Sequence, residues 1–115
     1  MDFEKLKKQL QEFADRRDWN QFHSPKNLSM ALISEAGELI EHFQWLTEEQ
    51  SQSLDKEELE QVAQEIADVQ IYLVRLADML NIDLEKAVQQ KIKINEEKYP
   101  HHKVKGSSKK YTQYK

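Results

Sequence analysis

The chain has 115 residues, and 17 Lys and Arg against 21 Asp and Glu give a formal charge of −4, so residues 1–115 are sized for one modest domain and no second. With no cysteine, a disulfide framework, a thiolate zinc site, an iron–sulfur cluster and a Cys nucleophile are all excluded, and any chemistry must use oxygen and nitrogen. No apolar run approaches the roughly 18 residues that span a bilayer, and the opening MDFEKLKKQLQEF alternates charged and apolar groups instead of building a signal-peptide core. A cytoplasmic chain with no membrane partner is expected.

Gly and Pro together supply only 4 residues, while 12 Leu, 14 Glu, 14 Lys and 12 Gln are strong helix formers, which predicts an all-α fold. Apolar residues make up 38% of the chain and charged ones 33%. That is lean for so small a core, and self-association into a homo-oligomer, a dimer or a tetramer, would compensate. Six of the 17 basic residues lie in residues 98–115, where there is no acid, so the body sits near −10 and the arm near +6.

Phe3, Leu6, Leu10 and Phe13 recur at the i, i+3, i+4 spacing of an amphipathic helix and predict a first helix over 3–16. Ser24 followed by Pro25 is an N-cap followed by proline at the first helical position. A second helix should therefore start near Pro25 and run through Leu28, Leu32, Ala36, Leu39, Phe43 and Leu46, ending where TEEQSQSLDK loses periodicity. A third begins around Asp55 and closes near Asn81; its apolar arc is so broad that it should be central and covered on several sides. Asp83 caps a fourth helix that Pro100 must stop after Tyr99. Short connections make helix neighbours antiparallel. The expected architecture is a four-helix bundle with a basic C-terminal arm.

On a helical wheel Glu35 falls about 20° from Leu28, inside the apolar stripe of the second helix. A carboxylate there must be neutralised, paired with a cation such as a buried Lys, or bound to a metal. Glu38 lies at the edge of the same face beside His42, and Glu65 and Asp68 repeat the three-residue spacing on the third helix. Two such pairs on helices packed face to face can gather four carboxylates, an oxygen-only set that suits a hard cation such as Mg²⁺. The Glu-x-x-His pairs of a di-iron bundle are missing, because Asn20, Leu39, Lys98 and Tyr99 stand three before the four histidines. No Gly-rich phosphate loop is present either.

Glu35-Ala-Gly-Glu38-Leu-Ile-Glu41 followed by Glu65-Ile-Ala-Asp68 resembles the EExxE…ExxD signature of the MazG-like, all-α nucleoside triphosphate pyrophosphohydrolases. The segments Asp18-Trp19-Asn-Gln-Phe22-His23-Ser-Pro25-Lys26-Asn27-Leu28, Phe43-Gln-Trp45, Asp68-Val-Gln-Ile-Tyr72, Lys91-Ile-Lys-Ile-Asn95, Lys98-Tyr99-Pro100 and Gly106-Ser-Ser-Lys-Lys110-Tyr111-Thr are similar to the dCTP pyrophosphatase branch. The resemblance implies Mg²⁺-dependent cleavage between the α and β phosphates of a nucleoside triphosphate, with Mn²⁺ as a substitute cation. It places the metal ligands at Glu35, Glu38, Glu65 and Asp68 and leaves open which carboxylate activates water; the rim position of Glu38, where a water could sit between it and the metal, favours Glu38. Ala36 departs from the signature's second glutamate, and Leu10 stands where animal relatives carry a histidine near the base pocket, which leaves base preference open.

Within that resemblance Trp19, Phe22, His23, Asn27 and Trp45 are base-pocket candidates, the rings for stacking and the amide for edge reading. The plainer readings are a hydrophobic plug for Trp19 and Phe22 and a capping histidine for His23. Lys91, Asn95 and Tyr72 correspond to phosphate and sugar contacts, and Lys110 and Tyr111 are expected to fold against a neighbouring subunit's site. The basic arm does not argue for nucleic acid as a partner, since a body near −10 repels a duplex. The expected service is clearance of excess or modified dCTP-like nucleotides. The alternatives are a broader enzyme acting on dUTP, dATP or deaminated purines, or a non-catalytic helical oligomerisation module.

Overall fold

The computed structural model describes residues 1–108, and among these every regular element is helical. The order is α1 (Phe3–Arg16), a 3-10 turn (Asn20–Phe22), α2 (Pro25–Glu41), α3 (Glu48–Ser51), α4 (Lys56–Met79), α5 (Leu84–Lys98) and α6 (His101–Val104). The chain divides into two compact units, Met1–Ile82 and a second that begins at Asp83.

The helix starts follow side-chain chemistry. Ser24 Oγ accepts the Asn27 N–H at 3.1 Å with Pro25 at the first helical position, Asp55 accepts from the Glu58 N–H at 2.8 Å, and Asp83 from the Lys86 N–H at 3.1 Å. Each satisfies one of the donors that a helix N-terminus leaves without an internal partner. Two helix ends use the left-handed region. Asp18 (φ 53°) follows α1 while the Trp19 N–H reaches back to the Ala14 carbonyl at 2.9 Å, and Asn81 (φ 55°) follows α4 while the Ile82 N–H reaches Ala77 at 2.9 Å. Both have the wrapped geometry of a Schellman stop, with Asp and Asn as side chains that tolerate it.

Within the first unit α4 is the common support, packing chiefly against α2 and also against α1. His23, at the start of α2, meets Arg75 late in α4, and His42, at its end, meets Glu65 nearer the start. The two helices therefore run antiparallel. The buried set is small: Ala14, Leu28, Val62, Val74 and Ala77, with Leu28 1% exposed, and the charged Arg75 is buried among them.

Three expectations need correction. The second helix ends at Glu41, not Leu46: residues 42–46 form successive turns, so Phe43, Trp45 and Leu46 lie off the helix. The stretch read as irregular contains α3, which Thr47 and Gln50 close with a reciprocal capping box, and Pro100 halts α5 only for α6 to follow at once. The broad apolar arc of α4 is not covered all round, for Leu59 and Ile66 are each 54% exposed and Ile71, Leu73 and Leu80 are exposed as well.

Leu28→Ala is expected to cost about 2–5 kcal/mol by opening a cavity in so small a core, against about 1 kcal/mol for Ser24→Ala, which removes a cap. Urea unfolding midpoints of the two variants measure the contrast.

Candidate metal centre

α2 and α4 each carry their acidic residues on the turn where the helices face each other. Oxygens of Glu35, Glu38 and Glu65 converge to within 4.8 Å of one another. Glu35 and Glu65 are half-buried, Glu38 is exposed, and one oxygen, Oε2, of both Glu35 and Glu65 is buried with no hydrogen-bond partner. Buried polar atoms are almost always satisfied, so orphaned oxygens on two members of one converging carboxylate cluster mark a place that a cation fits.

The electrostatics agree. Burial, followed by hydrogen bonding and repulsion from Glu38 and the charges of Asp68 and Glu65, lifts the Glu35 pKa from its ordinary 4.5 to about 7. Burial, Glu38 and Asp68 push Glu65 up too, with His42 opposing them. Like charges that hold one another protonated are relieved when a divalent ion enters.

Asp68 bears on both glutamates through its charge, yet it is not among the converging carboxylates. The cluster in this structure is thus three side chains with a fourth alongside, not the symmetrical set of four that the spacing suggested. His42, which the helical wheel sets beside Glu38 without giving it a role, borders the cluster. Its Nε2 stands 3.9 Å from Glu65 Oε1, and the usable signal was its position four residues after Glu38, one turn along the same face.

The remaining candidates divide by place. The wrapped end of α1 aims the chain into the 3-10 turn, where Trp19 meets Phe13 edge-on at 5.6 Å and His23 at 6.5 Å, and Phe22 is 58% exposed. Two side chains differ from expectation. The Asn27 amide donates to the Phe22 carbonyl at 3.1 Å, so one of its two N–H donors braces the turn and its oxygen and second N–H remain for a ligand. His23 Nδ1 accepts from Arg75 Nε at 3.2 Å, so one face of that ring is already engaged. Trp45, on the turns after α2, is 86% exposed, and Tyr72 is half-buried one turn beyond Asp68 on α4. In the second unit Lys91 and Asn95 stand exposed one turn apart on α5. Lys110 and Tyr111 lie outside the described residues.

A profile of the MazG-like family matches residues 31–113, the stretch that carries all the carboxylates above. The chain is 47% identical over 104 residues to human dCTP pyrophosphatase 1, covering 89% of this chain and 61% of that protein. It is 48% identical over 103 residues to the mouse protein of the same name, with 88% and 61% covered. The chain thus spans about three fifths of the length of these relatives. A crystal structure of a pyrophosphatase from Archaeoglobus fulgidus superimposes with a TM-score of 0.74 at 42% identity, covering 84% of this chain and 91% of that one. No helix among the described residues is long and apolar enough to cross a membrane.

A carboxyl group whose pKa is raised on folding favours the folded state while it is protonated, and this contribution is lost as pH climbs from about 4.5 to about 7. In metal-free protein, Glu35→Gln should therefore match the wild type near about pH 5 and be the more stable of the two near about pH 8. Millimolar Mg²⁺ should close that gap by stabilising only the wild type. Urea midpoints at both pH values, with and without the ion, provide the check.

Proposed function

The chain belongs to the MazG-like family, and we propose that it is a Mg²⁺-dependent nucleoside triphosphate pyrophosphohydrolase that acts on dCTP-like deoxynucleotides, releasing the monophosphate and pyrophosphate. The observation that carries this reading is the pair of buried, unpartnered Oε2 atoms of Glu35 and Glu65 inside the three-carboxylate cluster. The names of the human, mouse and archaeal relatives support the reaction class and, for the first two, the base.

Glu35, Glu38 and Glu65 would hold the ion, with Asp68 alongside. When bound, the ion supplies neutralisation for phosphate oxygens and acidifies a nearby water; Mn²⁺ substitutes. Glu38, the exposed member of the three, orients and deprotonates the attacking water. Because water is the nucleophile, no covalent intermediate is needed and the absence of cysteine costs nothing. Trp19 and Phe22 receive the base on their faces, Trp45 and Asn27 complete the pocket, and Tyr72 packs the sugar. Lys91 and Lys110 are the cations assigned to balance the triphosphate charge, with Asn95 and Tyr111 as hydrogen-bond donors to its phosphate or sugar oxygens.

A homo-oligomer, dimer or tetramer, completes the assembly, and the exposed Leu59, Ile66 and Trp45 support it as surfaces that a second copy would dry. Nucleic acid is not a partner in this reading, and clearance of free nucleotides places the protein with the nucleotide pool in the cytoplasm. The resemblance, which sets Leu10 where animal members carry a histidine, leaves one second reading, a broader base range that includes dUTP, dATP or deaminated purines.

Pyrophosphate release from a panel of dCTP, dUTP, dATP and dITP, with and without Mg²⁺, tests the assignment. The expected result is ion-dependent turnover with dCTP foremost. Similar rates on all four would favour the broader enzyme, and no release from any would leave a non-catalytic helical module. Glu35→Gln should lower kcat on the order of 10²–10³-fold, as loss of a group that stabilises transition-state charge does. Deleting residues 109–115 should raise KM more than it lowers kcat, the pattern of lost phosphate binding.

A further inference from the structure

Among the described residues Arg75 is the one charged member of the buried set, 3% exposed, and the metal centre makes no use of it. It lies seven residues beyond Asp68 on α4, a rise of roughly 10 Å, and three beyond Tyr72 on the same stripe. A guanidinium does not deprotonate and can only donate, so burying it requires acceptors on all sides. The fold supplies them from three elements. NH1 donates to Gln11 Oε1 on α1 at 2.6 Å, NH2 to Asn20 Oδ1 on the 3-10 turn at 2.8 Å, and Nε to His23 Nδ1 at 3.2 Å, while Asp78 Oδ2 stands 4.0 Å from NH1.

The partners are themselves held. Asp15 Oδ1 accepts from the Asn20 amide at 2.7 Å and from the Gln11 amide at 2.8 Å, and Gln11 also donates to Asn20 Oδ1 at 2.9 Å. These bonds, Asn20's first, hold the Asp15 carboxyl below its ordinary range. The two amides are therefore oriented with their oxygens toward Arg75, and the turn that carries Trp19 and Phe22 is fastened at Asn20 on one side and His23 on the other.

His23 is constrained further. Nδ1 accepts a hydrogen bond from a permanent cation, so it carries no hydrogen, and a doubly protonated ring would set donor against donor and charge against charge. Burial and the Arg75 charge both press the His23 pKa down. The ring is neutral with its hydrogen on Nε2.

We propose that Arg75 is a positioning residue for nucleobase recognition, locking the Asn20–His23 turn onto α1 and α4 and presenting His23 as an Nε2–H donor to an acceptor atom, a ring carbonyl or ring nitrogen, on the base. This rests on the reading that Trp19, Phe22 and His23 receive the base, and it adds how that lip is held and which hydrogen-bond sense it offers.

Long-range ¹H–¹⁵N spectra of the wild-type protein at neutral pH read the His23 tautomer directly, and the hydrogen should sit on Nε2. In Arg75→Leu and Arg75→Lys, checked for native circular dichroism, His23 should become a mixture of tautomers. KM for dCTP should rise roughly tenfold while kcat stays within about threefold, the split expected when binding is lost and the chemistry is kept. A hydrogen on Nδ1 in the wild type overturns the proposal, and so do folded variants with unchanged KM and tautomer, or variants that lose kcat alone. If neither variant folds, the wild-type spectrum decides. A wild type that hydrolyses dCTP while the variants match it sinks this proposal alone, whereas a wild type that neither binds nor hydrolyses any nucleotide sinks the functional reading with it.

Discussion

The structure depends on mutual repulsion that the fold does not discharge by itself. Three carboxylates from α2 and α4 meet within 4.8 Å, and two of their oxygens have no partner. A protein interior tolerates such an arrangement only when protons or a cation neutralise it. Other parts of the molecule bear on this constraint. Ser24 with Pro25 and Asp55 set where α2 and α4 begin, hence which turns face each other. The small apolar set around Leu28 and Val74 presses the two helices together despite the charge between them.

Much of this was legible in the sequence because its signals are local. The Ser24-Pro25, Asp55 and Asp83 starts, the Pro100 stop and the three-residue spacing of the acids all depend on neighbours within one or two turns. What was not legible depends on distant partners. The early end of α2 at Glu41 puts Phe43 and Trp45 on turns although their spacing from Leu39 fits a helix; periodicity cannot tell a helix from turns that keep apolar residues on one side. Asp68 shares the wheel position of a ligand, yet converging on a point is a property of side-chain reach, which a wheel does not contain. The Arg75 network was invisible for the same reason, since its three acceptors lie 52 to 64 residues from Arg75 and none of them forms a motif.

The family match and the geometry reinforce each other at different levels. The profile covers residues 31–113 and so speaks for α2, α4 and the acids, while the aromatic turn at 19–23 lies outside it. That turn is held by an αL residue at Asp18, an edge-on Phe13–Trp19 pair at 5.6 Å and the amides of Gln11 and Asn20. The acidic cluster rests on charge that repels, and the aromatic turn on a buried cation that donates to Gln11, Asn20 and His23.

The cluster and the turn share one rigid rod. α4 is a single uninterrupted helix of 24 residues, with anionic side chains on its middle turns and a cationic one farther along, so a change in its tilt or register would disturb both ends together. A laboratory wishing to retarget this scaffold would do better to leave the rod alone and graft new residues onto the short connector between α1 and α2. There a substitution can reshape the aromatic turn without moving the acids.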